Sequence, residues 1–159
     1  MDELLKILTR NALEKPEDIA RMLGISVEEV RQKIRDYEAR GIIRGYQAIV
    51  NEDELELERV KAVIEVKVTP EREGGFDRVA RRIAQFPEVQ SLYLMSGSYD
   101  LLILLSGTDL KQVALFVSEK LATIQGVLST STHFLLKTYK HHGVVMDGGR
   151  EDERLQVTP

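Results

Sequence analysis

The period of the apolar residues changes near residue 51, and this change limits the fold more than any other feature of the chain. From Met1 to about Tyr46 the pattern is helical. Leu4, Leu5, Ile7 and Leu8 line a first short helix. Pro16 sits where a second can begin, since its missing N–H would have no intrahelical partner there. Glu17 and Asp18 follow in the first turn, where the helix dipole favours them. Ile19, Ala20, Met22 and Leu23 supply its inner side, and Gly24 ends it. Ser26 starts a third helix with Val27, Val30, Ile34 and Tyr37 on one stripe, closed by Gly41. Ile42 to Val50 (IIRGYQAIV) reads as extended chain.

Beyond an acidic stretch, NEDELELE at 51–58, the reading becomes strand, helix, strand, strand, helix, strand. VKAVIEVKV (Val60–Val68) alternates as a half-buried strand should. Phe76, Val79, Ala80 and Ile83 form a helix stripe that stops near Pro87. VQSLYLMS (89–96) is a strand, GSYD (97–100) a tight turn, and LLILLS (101–106) a buried central strand. Leu110, Val113, Ala114, Val117 and Leu121 make a second helix, broken by Gly126, before a long strand VLSTSTHFLLKTY (127–139). This order is the split βαβ, ferredoxin-like pattern. It predicts an α+β chain: a helix-turn-helix with a strand-like wing, then a four-stranded antiparallel sheet with both helices on one face. The other face would be bare, which favours dimerisation through it. The expected divisions are 1–50, a connector at 51–59, a sheet domain at 60–140 and a tail at 141–159. In the tail, RLQV (154–157) could add an edge strand.

Charge and composition narrow the function. The chain of 159 residues carries 22 Lys and Arg against 26 Asp and Glu, so it is not basic overall. Residues 1–50 balance at 9 to 9, and the negative excess lies wholly in the rest. There is no cysteine, which excludes disulfides, thiolate metal sites and cysteine nucleophiles. The charged start MDELLKILTR lacks the apolar core of a signal peptide. No run of 18 apolar residues suggests a membrane span. A soluble, cytoplasmic protein is expected.

Helix, glycine turn and helix make the helix-turn-helix arrangement used to place a helix in the major groove. Two glutamates open the third helix, where phosphate would be met. Ser26 and Glu29 stand in S-x-x-E spacing, a capping box, which gives Glu29 a structural task. Glu28 is stabilised at the helix start by the dipole, by roughly 0.3–1 kcal/mol. On a helical wheel Glu28, Gln32, Arg35 and Asp36 lie opposite the core stripe, flanked by Arg31 and Lys33. A merely solvated face is one reading. The other is that Gln32 and Arg35 read adenine and guanine edges, while Arg31, Lys33, Arg40 and Arg44 hold phosphates. Glu28 could then accept from a cytosine amino group. Ser26, at the helix start, completes the candidate DNA-contacting set.

The stretches IARMLGIS, Val30–Ile34 and GIIRGYQAIVN, followed by GSYDLLILL and GVLSTSTHFLLK, resemble the Lrp/AsnC (leucine-responsive, feast/famine) family of transcriptional regulators over about residues 3–140. The resemblance implies a reading head on duplex DNA joined to an αβ-sandwich effector domain. It also implies homodimers that often assemble into octamers, and a small effector, commonly an amino acid, bound between effector domains. By the family's motif the effector residues fall on the turn Gly97, Ser98, Tyr99 and Asp100 and on Thr130 and Thr132. A carboxylate can pair with an amino group, and hydroxyls and turn N–H groups can bind a carboxylate. Simpler tasks stand beside these. Gly97 suits a turn that needs positive φ, Asp100 can bond the turn backbone, and threonines suit any exposed strand face. The chain departs from the family in having Leu101 after the aspartate, where many members carry an aromatic.

An enzyme is the competing class, since siroheme decarboxylases are similar in two-domain architecture. The only histidines are His133, His141 and His142, without metal-ligand spacing to another donor. No Ser–His–Asp pattern, P-loop or dinucleotide fingerprint occurs. No cofactor is expected.

Overall fold

The computed structural model describes residues 1–55, 59–70 and 75–146. It falls into two compact units, Met1–Val50 and a second beginning at Asn51.

The first unit is three helices: α1 (Glu3–Arg10), α2 (Pro16–Leu23) and α3 (Val27–Ala39). Its core is Leu4, Ile19, Ala20 and Val30, with Ile7, Leu8, Leu23, Ile25, Val27, Ile34 and Tyr37 packed around them. Met22, expected inside, is 57% exposed. It lies within α2 at the edge of the stripe formed by Ile19, Ala20 and Leu23. Gly24 takes φ +66° to end α2, the left-handed conformation that a Cβ disfavours. At the far end of α3, Gly41 donates to the Glu38 carbonyl and Ile42 to that of Tyr37, the paired bonds of a Schellman stop. Among the described residues Arg44–Val50 pairs with no strand, so the expected wing is not formed there.

The α3 start carries a full capping box. Ser26 N–H donates to Glu29 Oε2 at 2.8 Å, and Glu29 N–H donates back to Ser26 Oγ at 3.2 Å. The Ser26 backbone and hydroxyl hold the Glu29 carboxyl below the ordinary glutamate range. A lowered folded pKa means this stabilisation is present above the ordinary glutamate range. It fades as pH falls through the lowered value. Ser26→Ala should destabilise the first unit by about 1 kcal/mol at neutral pH. The deficit should shrink on acidification, as followed by urea titration with circular dichroism.

The second unit contains the strands β1 (Val60–Val68), β2 (Val89–Leu94), β3 (Leu101–Gly107) and β4 (Val127–Phe134), in the order β2-β3-β1-β4. All three pairings are antiparallel. Helices α4 (Asp77–Ile83) and α5 (Leu110–Leu115) cover one face, and α5 runs on as a π-helical stretch over Phe116–Leu121. The core joins Ala62, Ile64 and Val66 of β1 to Leu101, Ile103 and Leu105 of β3, with Val79, Ile83, Val113, Phe116 and Leu121 above. Leu110, expected in that stripe, is 58% exposed, and Phe116 takes the buried place three residues after Val113. On the opposite face Val63, Leu102 and Leu104 are half-buried and Tyr93 is exposed, and neither helix of the unit packs there.

Strand β4 stops at Phe134, short of the expected Tyr139. Phe134 faces Ala62, and Leu135 makes the last bond, to the Lys61 carbonyl. A small hairpin, β5 (Lys140–His141) and β6 (Val144–Val145), follows where a tail was expected. The RLQV stretch lies outside the described residues. Among the described residues no helix is long and apolar enough to cross a membrane.

Candidate nucleic-acid interface and effector site

The exposed face of α3 is knitted together rather than loosely solvated. Arg35 Nη2 donates to Glu28 Oε1 at 2.8 Å and to Gln32 Oε1 at 2.7 Å. Gln32 Nε2 donates to Asp36 Oδ1 at 2.8 Å. The flanking cations reach other helices: Arg31 pairs with Glu17 of α2 at 3.1 Å, and Lys33 with Asp2 before α1 at 3.7 Å. These are solvent-exposed pairs, which contribute little and exchange easily. Ser26 is committed to the cap. Arg40 forms the C-cap of α3. The Arg44 guanidinium lies over Gly41, where an added Cβ would come within 3.0 Å of Cζ. The sequence places Asp36 on the reading face without a task, yet its spacing of four from Gln32 is the signal that finds the bond.

At the second unit, Asp100 is a clamp. Its Oδ2 accepts from Val68 N–H at 2.9 Å, its own N–H donates to the Val66 carbonyl at 3.0 Å, and its carbonyl accepts from Met95 N–H at 2.8 Å. It therefore bonds the β1 backbone, not only its own turn. Gly97 has φ +146° and is exposed with Ser98, while Tyr99 is half-buried. Thr130 faces Val66 and Thr132 faces Ile64 across the β1–β4 ladder. Paired residues share a face, so both threonines lie on the helix-covered side, half-buried, and not on an exposed face. Their hydroxyls make no hydrogen bond among the described residues. The turn and the threonines meet at the same end of the sheet with β1 between them. They stand about two strand spacings apart, roughly 10 Å.

The Lrp/AsnC ligand binding domain matches residues 61–145, more than half of the chain. The HTH-type transcriptional regulator YugG of Bacillus subtilis (strain 168), itself called uncharacterized, is 48% identical over 158 residues, covering 99% of this chain and 95% of its own. The chain belongs to the Lrp/AsnC family. The HTH-type transcriptional regulator LrpA of Pyrococcus horikoshii is 31% identical over 86% of this chain and 94% of its own. In fold, a transcriptional regulator of Neisseria meningitidis solved with L-Met superposes with a TM-score of 0.68 at 23% identity, over 91% of this chain and 93% of the other.

The matched region of this Lrp/AsnC chain includes the Gly97–Asp100 turn, both threonines and the β5–β6 hairpin. A cavity of about 380 Å³ lies elsewhere, at the other end of the sheet, lined by Arg59, Pro87, Glu88, Ser106, Thr108 and Gln112 among others. None of the candidate effector residues lines it. His133 Nε2 stands 3.3 Å from Ser131 Oγ and 3.6 Å from Glu65 Oε1. Both contacts fall on one ring nitrogen, so no nucleophile–base–orienter relay is formed. His141 and His142 touch each other, ring centroids 4.2 Å apart. Among the described residues no three metal-donor side chains gather.

Proposed function

We propose that this Lrp/AsnC chain is a sequence-specific DNA-binding transcriptional regulator, and that a small effector such as an amino acid modulates it. The observation that carries the reading is the capped α3, with Gln32 and Arg35 set together on its exposed face. Glutamine and arginine are the side chains that bond adenine and guanine edges bidentately. Ser26, Glu28, Arg31, Lys33, Arg40 and Arg44 complete the interface by position. A charge-balanced reading head binds a single duplex weakly by counterion release. Two heads on a homodimer raise the effective affinity, and an octamer raises it further. The bare sheet face with Val63, Leu102 and Leu104 supports such pairing, as expected of an apolar surface.

The effector reading rests on Gly97, Ser98, Tyr99 and Asp100 with Thr130 and Thr132. Asp100 Oδ1 and both threonine hydroxyls supply an acceptor and donors toward a zwitterion. One chain does not enclose them, which fits a ligand held between effector domains. The Neisseria meningitidis regulator solved with L-Met gives the class of ligand to try first.

Selection of bound sequences from a random duplex pool at about 150 mM salt tests the DNA reading. An enriched pseudo-palindrome is expected, its half-site spacing reporting the dimer. Arg35→Ala and Gln32→Ala should each lose about 1–3 kcal/mol of preference at one base. Arg44→Ala should weaken all sequences alike and flatten the salt slope by about one unit. No enrichment by folded protein, with and without amino acids, would overturn the reading.

A further inference from the structure

We propose that Glu28 and Asp36 are specificity-determining residues of α3, holding Arg35 and Gln32 as one preset reading unit and opposing docking on the wrong sequence. This rests on the DNA-reading function proposed above and goes beyond it, because it assigns the discrimination to two carboxylates. Over Val27–Ala39 the helix carries Glu28, Glu29, Asp36 and Glu38 against Arg31, Lys33 and Arg35. A helix built for phosphate attraction would carry the opposite balance.

Residues 28, 32 and 36 are spaced by four, and 35 falls between the last two, so all four share one stripe. Within the stripe the bonds run in order from carboxylate to carboxylate: Glu28 to Arg35, Arg35 to Gln32, Gln32 to Asp36. The Gln32 amide is therefore oriented at both ends, with its Nε2 toward Asp36 and its Oε1 toward Arg35. Arg35 Nε adds a longer contact to the same Oε1, at 3.3 Å. A preset pair loses less side-chain freedom when it meets its base edges.

The same carboxylates face the polyanion. Duplex DNA carries about one negative charge per 1.7 Å of axis, so two carboxylates on the inserted face repel every sequence. A guanine edge offers two acceptors to Arg35 as Glu28 and Gln32 hold it. A wrong edge does not, and leaves the repulsion uncompensated. The discriminating element is thus repulsive as well as attractive. Arg31 and Lys33 are themselves paired with Glu17 and Asp2, which lessens their attraction for phosphate until those exposed pairs exchange.

The test uses the full chain. Wild type, Glu28→Gln and Asp36→Asn are titrated by fluorescence anisotropy against the duplex that wild type enriches and against a scrambled duplex of equal composition. Salt is varied from about 50 to 200 mM. Glu14→Gln, the same charge change off the reading face, is the control. Each reading-face variant should bind the scrambled duplex roughly three- to tenfold more tightly, with the specificity ratio falling to match. Glu14→Gln should leave the ratio unchanged. If both variants keep the wild-type ratio, or Glu14→Gln lowers it equally, the inference is overturned while the DNA-reading function stands. If wild type itself distinguishes no sequence, the DNA-reading function falls and takes this inference with it.

Discussion

Ile64→Ala is expected to remove about 2–5 kcal/mol from the second unit, enough to unfold a marginal domain. Ile64 is fully buried and sits at the centre of β1, paired on one side with Ile103 and on the other with Thr132. Deleting its side chain opens a cavity under the helices where the two central strands and β4 meet. The surrounding β-branched side chains sit in fixed rotamers and can fill it only in part. Val63→Ala, one residue away on the opposite face, removes a half-buried side chain and should cost far less. Urea unfolding followed by the strand signal in circular dichroism separates the two. Equal losses would contradict the division of the sheet into a covered and a bare face.

The second large effect is at Asp100, where two roles can be parted. Asp100→Ala leaves the Val68 N–H without its acceptor, and an orphaned, partly buried donor costs about 1–3 kcal/mol. Asp100→Asn keeps a carbonyl oxygen in the same place, so stability should fall little. The carboxylate charge is gone in both. If Asp100 also pairs with an effector amino group, both variants should lose most of the thermal shift that L-methionine, or another active member of an amino-acid panel, gives the wild type. An Asp100→Asn protein that is stable and still shows the full shift would leave Asp100 as a clamp on β1 and nothing more.

How far the chain could be read differs from place to place, for physical reasons. Strand β1 was legible to the residue, because Ala62, Ile64, Val66 and Val68 alternate with Lys61, Glu65 and Lys67, broken only by the apolar Val63. Strand β4 was not, because STST alternates hydroxyl with hydroxyl. Its period carries no sign, and only the register with β1 puts Thr130 and Thr132 on the helix side. The end of β4 lies where its pairing with β1 stops, at Phe134 opposite Ala62, a tertiary fact that local pattern does not hold. The β5–β6 turn has His142 at φ +45° and Gly143 at φ +84°. Positive φ at both turn positions is the signature of a tight hairpin usually written Asn-Gly, and histidine in the first place conceals it. The capping box was legible from spacing alone, and so was the exposed side of α3. The bonding within that face was not, since a helical wheel shows which side chains are neighbours but not which of them bond. The Gly97–Asp100 turn was singled out as an effector candidate by family resemblance; its bond to β1 needed coordinates.

The two buried clusters are separate and unequal. Leu4, Ile19, Ala20 and Val30 hold the first unit, while thirteen side chains form the core of the second among the described residues. A unit the size of Met1–Val50 is near the lower limit at which burial offsets chain entropy. As temperature rises, the helical unit should therefore melt before the sheet. A warmed protein would keep the half proposed to sense a metabolite and lose the half proposed to report it. A single melting temperature does not describe such a chain.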